Sequence, residues 1–89
     1  MGSFPEGNAI VYCQGAFKTA NGKTAHGLVR RTERYRVLSV IDSNLARKDS
    51  GEVLDGKPNG ILIYPSLAEA LKAARQSGLS PTHFVIGLA

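Results

Sequence analysis

Tryptophan is absent from this chain, and methionine and cysteine each occur once. A single cysteine, Cys13, excludes an internal disulfide framework. Its place at the end of the apolar run Ala9-Ile10-Val11-Tyr12-Cys13 marks it as a small buried hydrophobe. Histidine occurs only at His26 and His83, neither with partners at ligand spacing, so no metal centre is expected. The same scarcity leaves no Ser/His/Asp or Cys/His arrangement to argue from, and no catalytic residue is assigned. No apolar run approaches the roughly 18 residues that span a bilayer. The N-terminus lacks a basic segment followed by an apolar one, and Glu6 stands where a myristoylation signal requires Ser or Thr. A cytoplasmic location without a membrane partner is the expectation. Three tyrosines and three phenylalanines, scattered along the chain, provide no stacking surface beside a basic face, which argues against nucleic-acid binding.

What is present is an ordinary globular composition, 43% hydrophobic and 20% charged, in 89 residues. A domain this small buries roughly 60 to 65% of its unfolded surface, so its core is marginal unless something else covers it. A fragment of a longer protein, or an oligomer, is expected. The formal charge of +4 is densest at Arg30, Arg31, Arg34 and Arg36. These fall at and beyond the end of a helical run, where cations offset the negative end of the helix dipole and stay solvated. Residues 1–7 read as a vector remnant or disordered leader, beginning Met1-Gly2-Ser3, and residues 8–89 as the folded domain.

Strand and helix signals alternate along that domain. Ala9 to Cys13 is continuously apolar, the pattern of a strand covered on both faces. A helix is predicted from Lys23 to about Arg34, with Ala25, Leu28, Val29 and Thr32 as its inner stripe, and a second strand from Val37 to Ile41. Ser43 to Gly60 has the composition of an irregular loop or a poor helix. Ile61 to Tyr64 is a short third strand. Ser66 and Glu69 form a capping box for a helix from Leu67 to Gln76, with Leu67, Ala70, Leu71 and Ala74 facing inward and Gly78 at its C-terminal stop. Thr82 to Gly87 is the fourth strand. Such alternation predicts an α/β fold. Right-handed crossovers then give a parallel sheet of order 3-2-1-4 with helices on both faces, half of a doubly wound Rossmann-like domain.

The stretch from Asn8 to Asp42 carries the functional signal. A buried strand that turns through Gly15 and Gly22 into a helix start aims backbone N–H groups and a positive dipole end at one point, which suits an anion. Lys18, Lys23 and Thr24 are the side chains available there, and the alternative is a purely structural glycine-rich turn. Gly22-Lys23-Thr24 resembles the end of a P-loop, but the glycine required five positions earlier is Phe17. The GxGxxG spacing also fails, meeting Phe17 and Ala20 from Gly15, and Thr24 from Gly22. His26 reads as a packing or hydrogen-bonding residue. Gly27, costly within a helix, suggests a close approach of the helix to a strand or ligand. Asp42, ending the second strand, suits either a ribose hydroxyl or a cap on the following turn.

Ala-Ile-Val-Tyr-Cys-Gln-Gly-Ala-Phe, Asn-Gly-Lys-Thr-Ala-His-Gly-Leu-Val-Arg, Val-Ile-Asp-Ser and Gly-Glu-Val-Leu-Asp-Gly together resemble the Rossmann-like N-terminal domain of a prokaryotic family labelled a domain of unknown function. Members often carry the name NAD-dependent epimerase/dehydratase-like, and some are assigned as D-glutamate or D-amino-acid N-acetyltransferases. The resemblance runs from Asn8 to Ala89 and is most specific from Asn21 to Arg30. It implies that Gly15, Lys23, Thr24, His26, Gly27 and Asp42 correspond to the family's loop, helix start and second-strand end. It also implies a P-loop-type domain following this one, with NAD, another nucleotide or acetyl-CoA as possible ligands.

Two functions are expected from these readings. The first is a module that binds the phosphate part of a nucleotide or acyl-carrier ligand within a larger enzyme. The second is a non-catalytic scaffold that positions a following domain and builds an oligomer. The fourth strand, apolar and at an edge, favours self-association.

Overall fold

The computed structural model describes residues 7–31 and 34–88, the Arg31 side chain excepted. The chain runs β1 (Gly7–Tyr12), α1 (Lys23–Arg31), β2 (Tyr35–Ile41), α2 (Ser50–Asp55), β3 (Leu62–Tyr64), α3 (Leu67–Gln76) and β4 (His83–Ile86). All four strands are parallel, in the order β3-β2-β1-β4. This is the α/β, Rossmann-like arrangement that the alternation of elements predicts. β1 is central, and Ala9, Ile10 and Val11 within it are almost wholly removed from solvent.

The two faces of the sheet are covered separately. On one, Val11, Cys13, Phe17, Ala25, Val29, Val40 and Ile63 form a buried cluster, against which Val53 and Leu54 of α2 also pack. On the other, Ile10 and Ile41 meet Ala70, with Leu71 packed against them. Each large side chain buried in this way contributes about 1.5 to 3 kcal/mol. Phe17, outside any regular element, is fully buried and plugs the first cluster from the β1–α1 loop.

α3 spans the residues predicted for it. Ser66 accepts the Glu69 N–H at 3.2 Å, and Gly78 lies at φ 73° with the Leu79 N–H donating to Ala74 O at 2.9 Å, a left-handed helix stop. The reciprocal half of the capping box, from the Ser66 N–H to the Glu69 side chain, is not made among the described residues. Leu67, expected in the buried stripe, is 41% exposed, because it sits at the first turn, beside the partly covered face of β4.

α1 is described as far as Arg31, and β2 has begun by Tyr35; residues 32 and 33, where the end of the predicted helix and Thr32 fall, lie outside the described residues. β1 begins at Gly7, one residue before the expected domain boundary. Within the stretch expected to be loop or poor helix, a helix of six residues does form. Asp49 nucleates it, accepting the N–H groups of Gly51 at 2.8 Å and Glu52 at 3.1 Å. The same carboxylate takes the N–H groups of Asn59 at 3.0 Å and Gly60 at 2.9 Å, closing the loop back to β3.

The sheet's two edges differ. Just before α2 the chain turns back antiparallel along β3, with Arg47 N–H donating to Ile63 O at 2.7 Å, Ile63 N–H to Lys48 O at 2.9 Å and Ser50 N–H to Ile61 O at 2.8 Å. That segment seals the outer edge of β3. Among the described residues, β4 pairs with β1 alone.

Candidate functional site

In open α/β sheets, ligands sit outside the carboxyl ends of the strands, where β1 and its neighbours diverge. Here that end is tied together by side chains from two loops. The β1–α1 loop turns at Gly15, whose φ of 75° is a conformation that glycine adopts without strain. Asp42, one residue past β2 and 1% exposed, reaches across to it. One carboxylate oxygen accepts the N–H groups of Gly15 at 3.1 Å and Asn44 at 3.0 Å, and the other accepts the Phe17 N–H at 3.1 Å. Gln14 adds a second tie, donating to the Ser43 hydroxyl at 2.5 Å and accepting the Ser43 N–H at 2.8 Å.

The start of α1 is also engaged. Thr19 caps the preceding 3-10 turn by accepting the Asn21 N–H at 3.2 Å, and its carbonyl takes the Gly22 N–H at 3.0 Å. The Ala25 N–H, in the first turn of α1, donates at 3.3 Å to the carbonyl of Gly87, the residue that follows β4. Gly87 is wedged there: a Cβ on it would lie 2.8 Å from both Ala25 Cβ and Val11 Cγ1. The crevice between β1 and β4 is thus filled by the chain itself.

The candidate residues divide accordingly. Gly15 and Asp42 are brought together through a hydrogen bond. Gly22 and His26 are adjacent: a Cβ on Gly22 would lie 2.5 Å from Ala16 O and 3.1 Å from His26 Nε2. The His26 Nε2 also meets the Phe17 carbonyl oxygen, and the His26 ring stands edge-on to the Phe17 ring at 5.4 Å between centroids. His26 therefore buttresses the loop. Lys23 and Thr24 are exposed at the helix start. Gly27 corrects the sequence expectation in one respect: the helix does not approach a strand there. It faces solvent, with nothing within 4 Å of the position its Cβ would take, because the inner stripe of α1 is carried by Ala25 and Val29.

Lys18 lies apart from these residues. With Arg47 and Lys48 it borders a cleft of about 530 Å³ whose lining also includes Asp49, Glu52, Leu45, Val53 and Leu62. None of the three cations makes an ion pair among the described residues. Arg47 holds a left-handed backbone, φ 69°, where the chain turns along β3. Within the arginine cluster, Arg30 pairs with Asp55 at 2.6 Å and Arg34 lies over the Tyr35 ring, 5.4 Å from its centroid.

Cys13 is fully buried beside Asp42. Burial, with the nearby carboxylate adding to it, raises its pKa to about 11, so the thiol stays protonated and is no nucleophile near neutral pH. Gln14 and Asp49 are the structurally decisive residues that sequence reasoning passed over. For Asp49 a signal existed: an aspartate followed three positions later by Glu52, a helix-start pattern. Gln14 offers none, since its partner is 29 positions away.

Among solved structures, the chain is similar to a DUF1611 family protein from Anabaena variabilis, with a TM-score of 0.75 and 25% sequence identity. The match covers 93% of this chain and 22% of that protein, so the chain spans about a fifth of its length. No protein-family model and no curated protein matches the chain. The structural neighbour thus belongs to a family of unknown function, and the likeness carries fold rather than chemistry. No helix of the described residues is long and apolar enough to cross a membrane.

Proposed function

We propose that this chain is a Rossmann-like scaffold module of a larger protein, in which the strand ends that elsewhere receive a phosphate are locked by internal bonds. The observation behind this reading is the use of the donors. Gly15 and Phe17 give their N–H groups to Asp42, and Ala25 gives its N–H to Gly87. A phosphate using the N–H groups of Gly15, Phe17 or Ala25 would have to displace a buried carboxylate already holding three N–H groups, or the carbonyl of Gly87. Any transferase activity of the parent protein, such as amino-acid N-acetylation, then belongs to other parts of it, including a P-loop-type domain beyond residues 8–89. The epimerase/dehydratase-like label, in the same reading, reflects the fold.

Isothermal titration of the chain with NAD(H), ATP and acetyl-CoA tests this, and no saturable binding is expected. Saturable binding that Lys23→Ala weakens by about 1.5 to 3 kcal/mol, the scale of a charge-assisted hydrogen bond, would restore nucleotide or phosphate binding at the α1 start. A second reading rests on the cleft: Lys18, Arg47 and Lys48 outnumber the two acidic residues of its lining, Asp49 and Glu52, and with the apolar Leu45, Val53 and Leu62 they suit a phosphate-bearing ligand with an apolar body. Binding that survives Lys23→Ala but is weakened by Lys18→Ala and Arg47→Ala would place the ligand there.

A further inference from the structure

We infer that the pocket between α3 and the middle of the sheet binds a neutral small molecule of the size of phenol, held by its apolar body and by one hydrogen bond to the Ser39 hydroxyl. The site lies on the α3 face of the sheet, apart from the Gly15, Asp42 and Ala25 contacts that carry the scaffold reading, and it stands without that reading.

Small residues open the space. α3 turns Ala70 and Ala74 to the sheet, with Ala73 beside them, and each projects only a methyl group. At Ala70 the side chains of Ile10 and Ile41 fill the gap. One turn further on, at Ala74, the pocket is bounded by Ser39, whose side chain is too short to do so. A pocket of about 200 Å³ results, with Ser39, Ala70 and Ala74 buried at its inner end and Gly60, Leu62 and Ser77 exposed at its mouth. Its walls come from residues between 38 and 79, internal to the chain.

A β-bulge turns Ser39 toward this space. β1 and β2 pair Ala9 with Val37 but Ile10 with Ser39, so Leu38 is an extra residue on β2. Ser39 is thereby set beside Ile10 on the α3 face, whereas regular alternation from Val37 would have turned it to the opposite one. There it is 3% exposed, and its hydroxyl makes no hydrogen bond among the described residues. Burying a hydroxyl without a partner is costly, and buried polar groups of folded proteins are nearly always paired.

The surroundings of that hydroxyl decide what pairs with it. A buried water needs roughly two to four polar partners. The inner end of the pocket offers one polar side chain, Ser39, among alanine methyls and the side chains of Leu38 and Leu79. An organic molecule needs only that one, because its apolar body gains from the alanines and leucines. None of the described residues lining the pocket is charged, which disfavours an ionised ligand. Size sets the rest: a cavity of about 150 Å³ takes up benzene. At about 200 Å³, this one accommodates the same ring bearing a hydroxyl group.

Titration of the 89-residue chain with phenol, followed by the amide and methyl shifts of its NMR spectrum, should show saturable changes centred on Ser39, Ala70, Ala73 and Ala74. A dissociation constant on the order of millimolar is expected for so small a ligand. Benzene, which has the ring without the hydroxyl, should bind more weakly. Ser39→Ala removes a hydroxyl that has no partner among the described residues, so the thermal midpoint should not fall. In that variant the ratio of phenol to benzene affinity should drop about fivefold, the worth of one net hydrogen bond. Ala73→Leu, at a partly buried position on the wall, should abolish saturation by filling the pocket. Absence of saturable changes, changes centred on other residues, a phenol-to-benzene ratio that Ser39→Ala leaves alone, or unchanged phenol affinity in Ala73→Leu would overturn the inference. Neither probe carries a phosphate, so these outcomes are separate from the titrations that test the scaffold reading.

Discussion

The Asp42 carboxylate accepts the Phe17 N–H at 3.1 Å, joining the end of β2 to a residue 25 positions earlier in the β1–α1 loop. The bond fixes the residue that plugs the larger core cluster. Asp42→Ala would leave the buried N–H of Phe17 without an acceptor, while the N–H of the exposed Gly15 could turn to water. An unsatisfied buried donor costs about 1 to 3 kcal/mol, so a loss of that size in urea denaturation is expected, a large part of the stability of a domain this size. Asp42→Asn keeps one acceptor oxygen and should lose less. An Asp42→Ala protein as stable as the wild type would mean that the loop does not depend on this carboxylate.

Two glycines five residues apart, at the start of α1 and within it, should respond in opposite directions to alanine. At Gly22 the new methyl would collide with the Ala16 carbonyl oxygen at 2.5 Å, a backbone atom with little freedom to give way. A cost of about 1 to 3 kcal/mol follows from such overpacking. At Gly27 the methyl enters open space on an exposed helix, and relief of the glycine's conformational freedom should stabilise the fold by about 0.5 to 1 kcal/mol. Equal thermal shifts for the two variants would contradict this account.

Legibility in the sequence followed the range of the interactions. α3 could be delimited to the residue because its signals are local: Ser66 and Glu69 at one end, Gly78 at the other, and Ala70 and Ala74 on one stripe. Strand order followed from alternation and handedness, which need no side-chain detail. The site was harder to read, because the same glycines and aspartate serve a phosphate loop or a self-satisfied one. Which applies depends on where Asp42 points relative to a loop some 25 residues away, and no spacing rule encodes that. Gly27 misled as to strand packing for a related reason, since a helical glycine signals close approach to a strand only when it lies on the inner stripe. The sealing of β3 by Arg47 to Ser50 was equally hidden, as loop composition does not say which edge a loop will follow.

Cys13 should behave as a buried hydrophobe toward thiol reagents. It is fully buried, and with a pKa raised to about 11 it carries almost no thiolate near neutral pH. Labelling by an aromatic disulfide reagent at pH 7.5 should therefore proceed only through unfolding, speeding up with urea in step with the loss of structure. Rapid stoichiometric labelling of the native protein would show that β1 opens locally.

Acid should weaken the α2 region first, through Asp49. Partial burial raises the pKa of this carboxyl, but the N–H groups of Asn59, Glu52, Gly60 and Gly51 outweigh that effect, and its pKa lies below the usual aspartate value. A group whose pKa is depressed by folding stabilises the fold above its unfolded pKa, about 3.9, and that contribution disappears as pH falls through the folded value. Asp49→Asn cannot titrate. It should cost about 1 kcal/mol at pH 7 as a weakened cap, with the gap to wild type narrowing as pH drops below about 4. Urea midpoints of the two proteins between pH 7 and pH 3 provide the measurement. If the two acid limbs run parallel, the Asp49 carboxylate is not what ties α2 to the loop before β3.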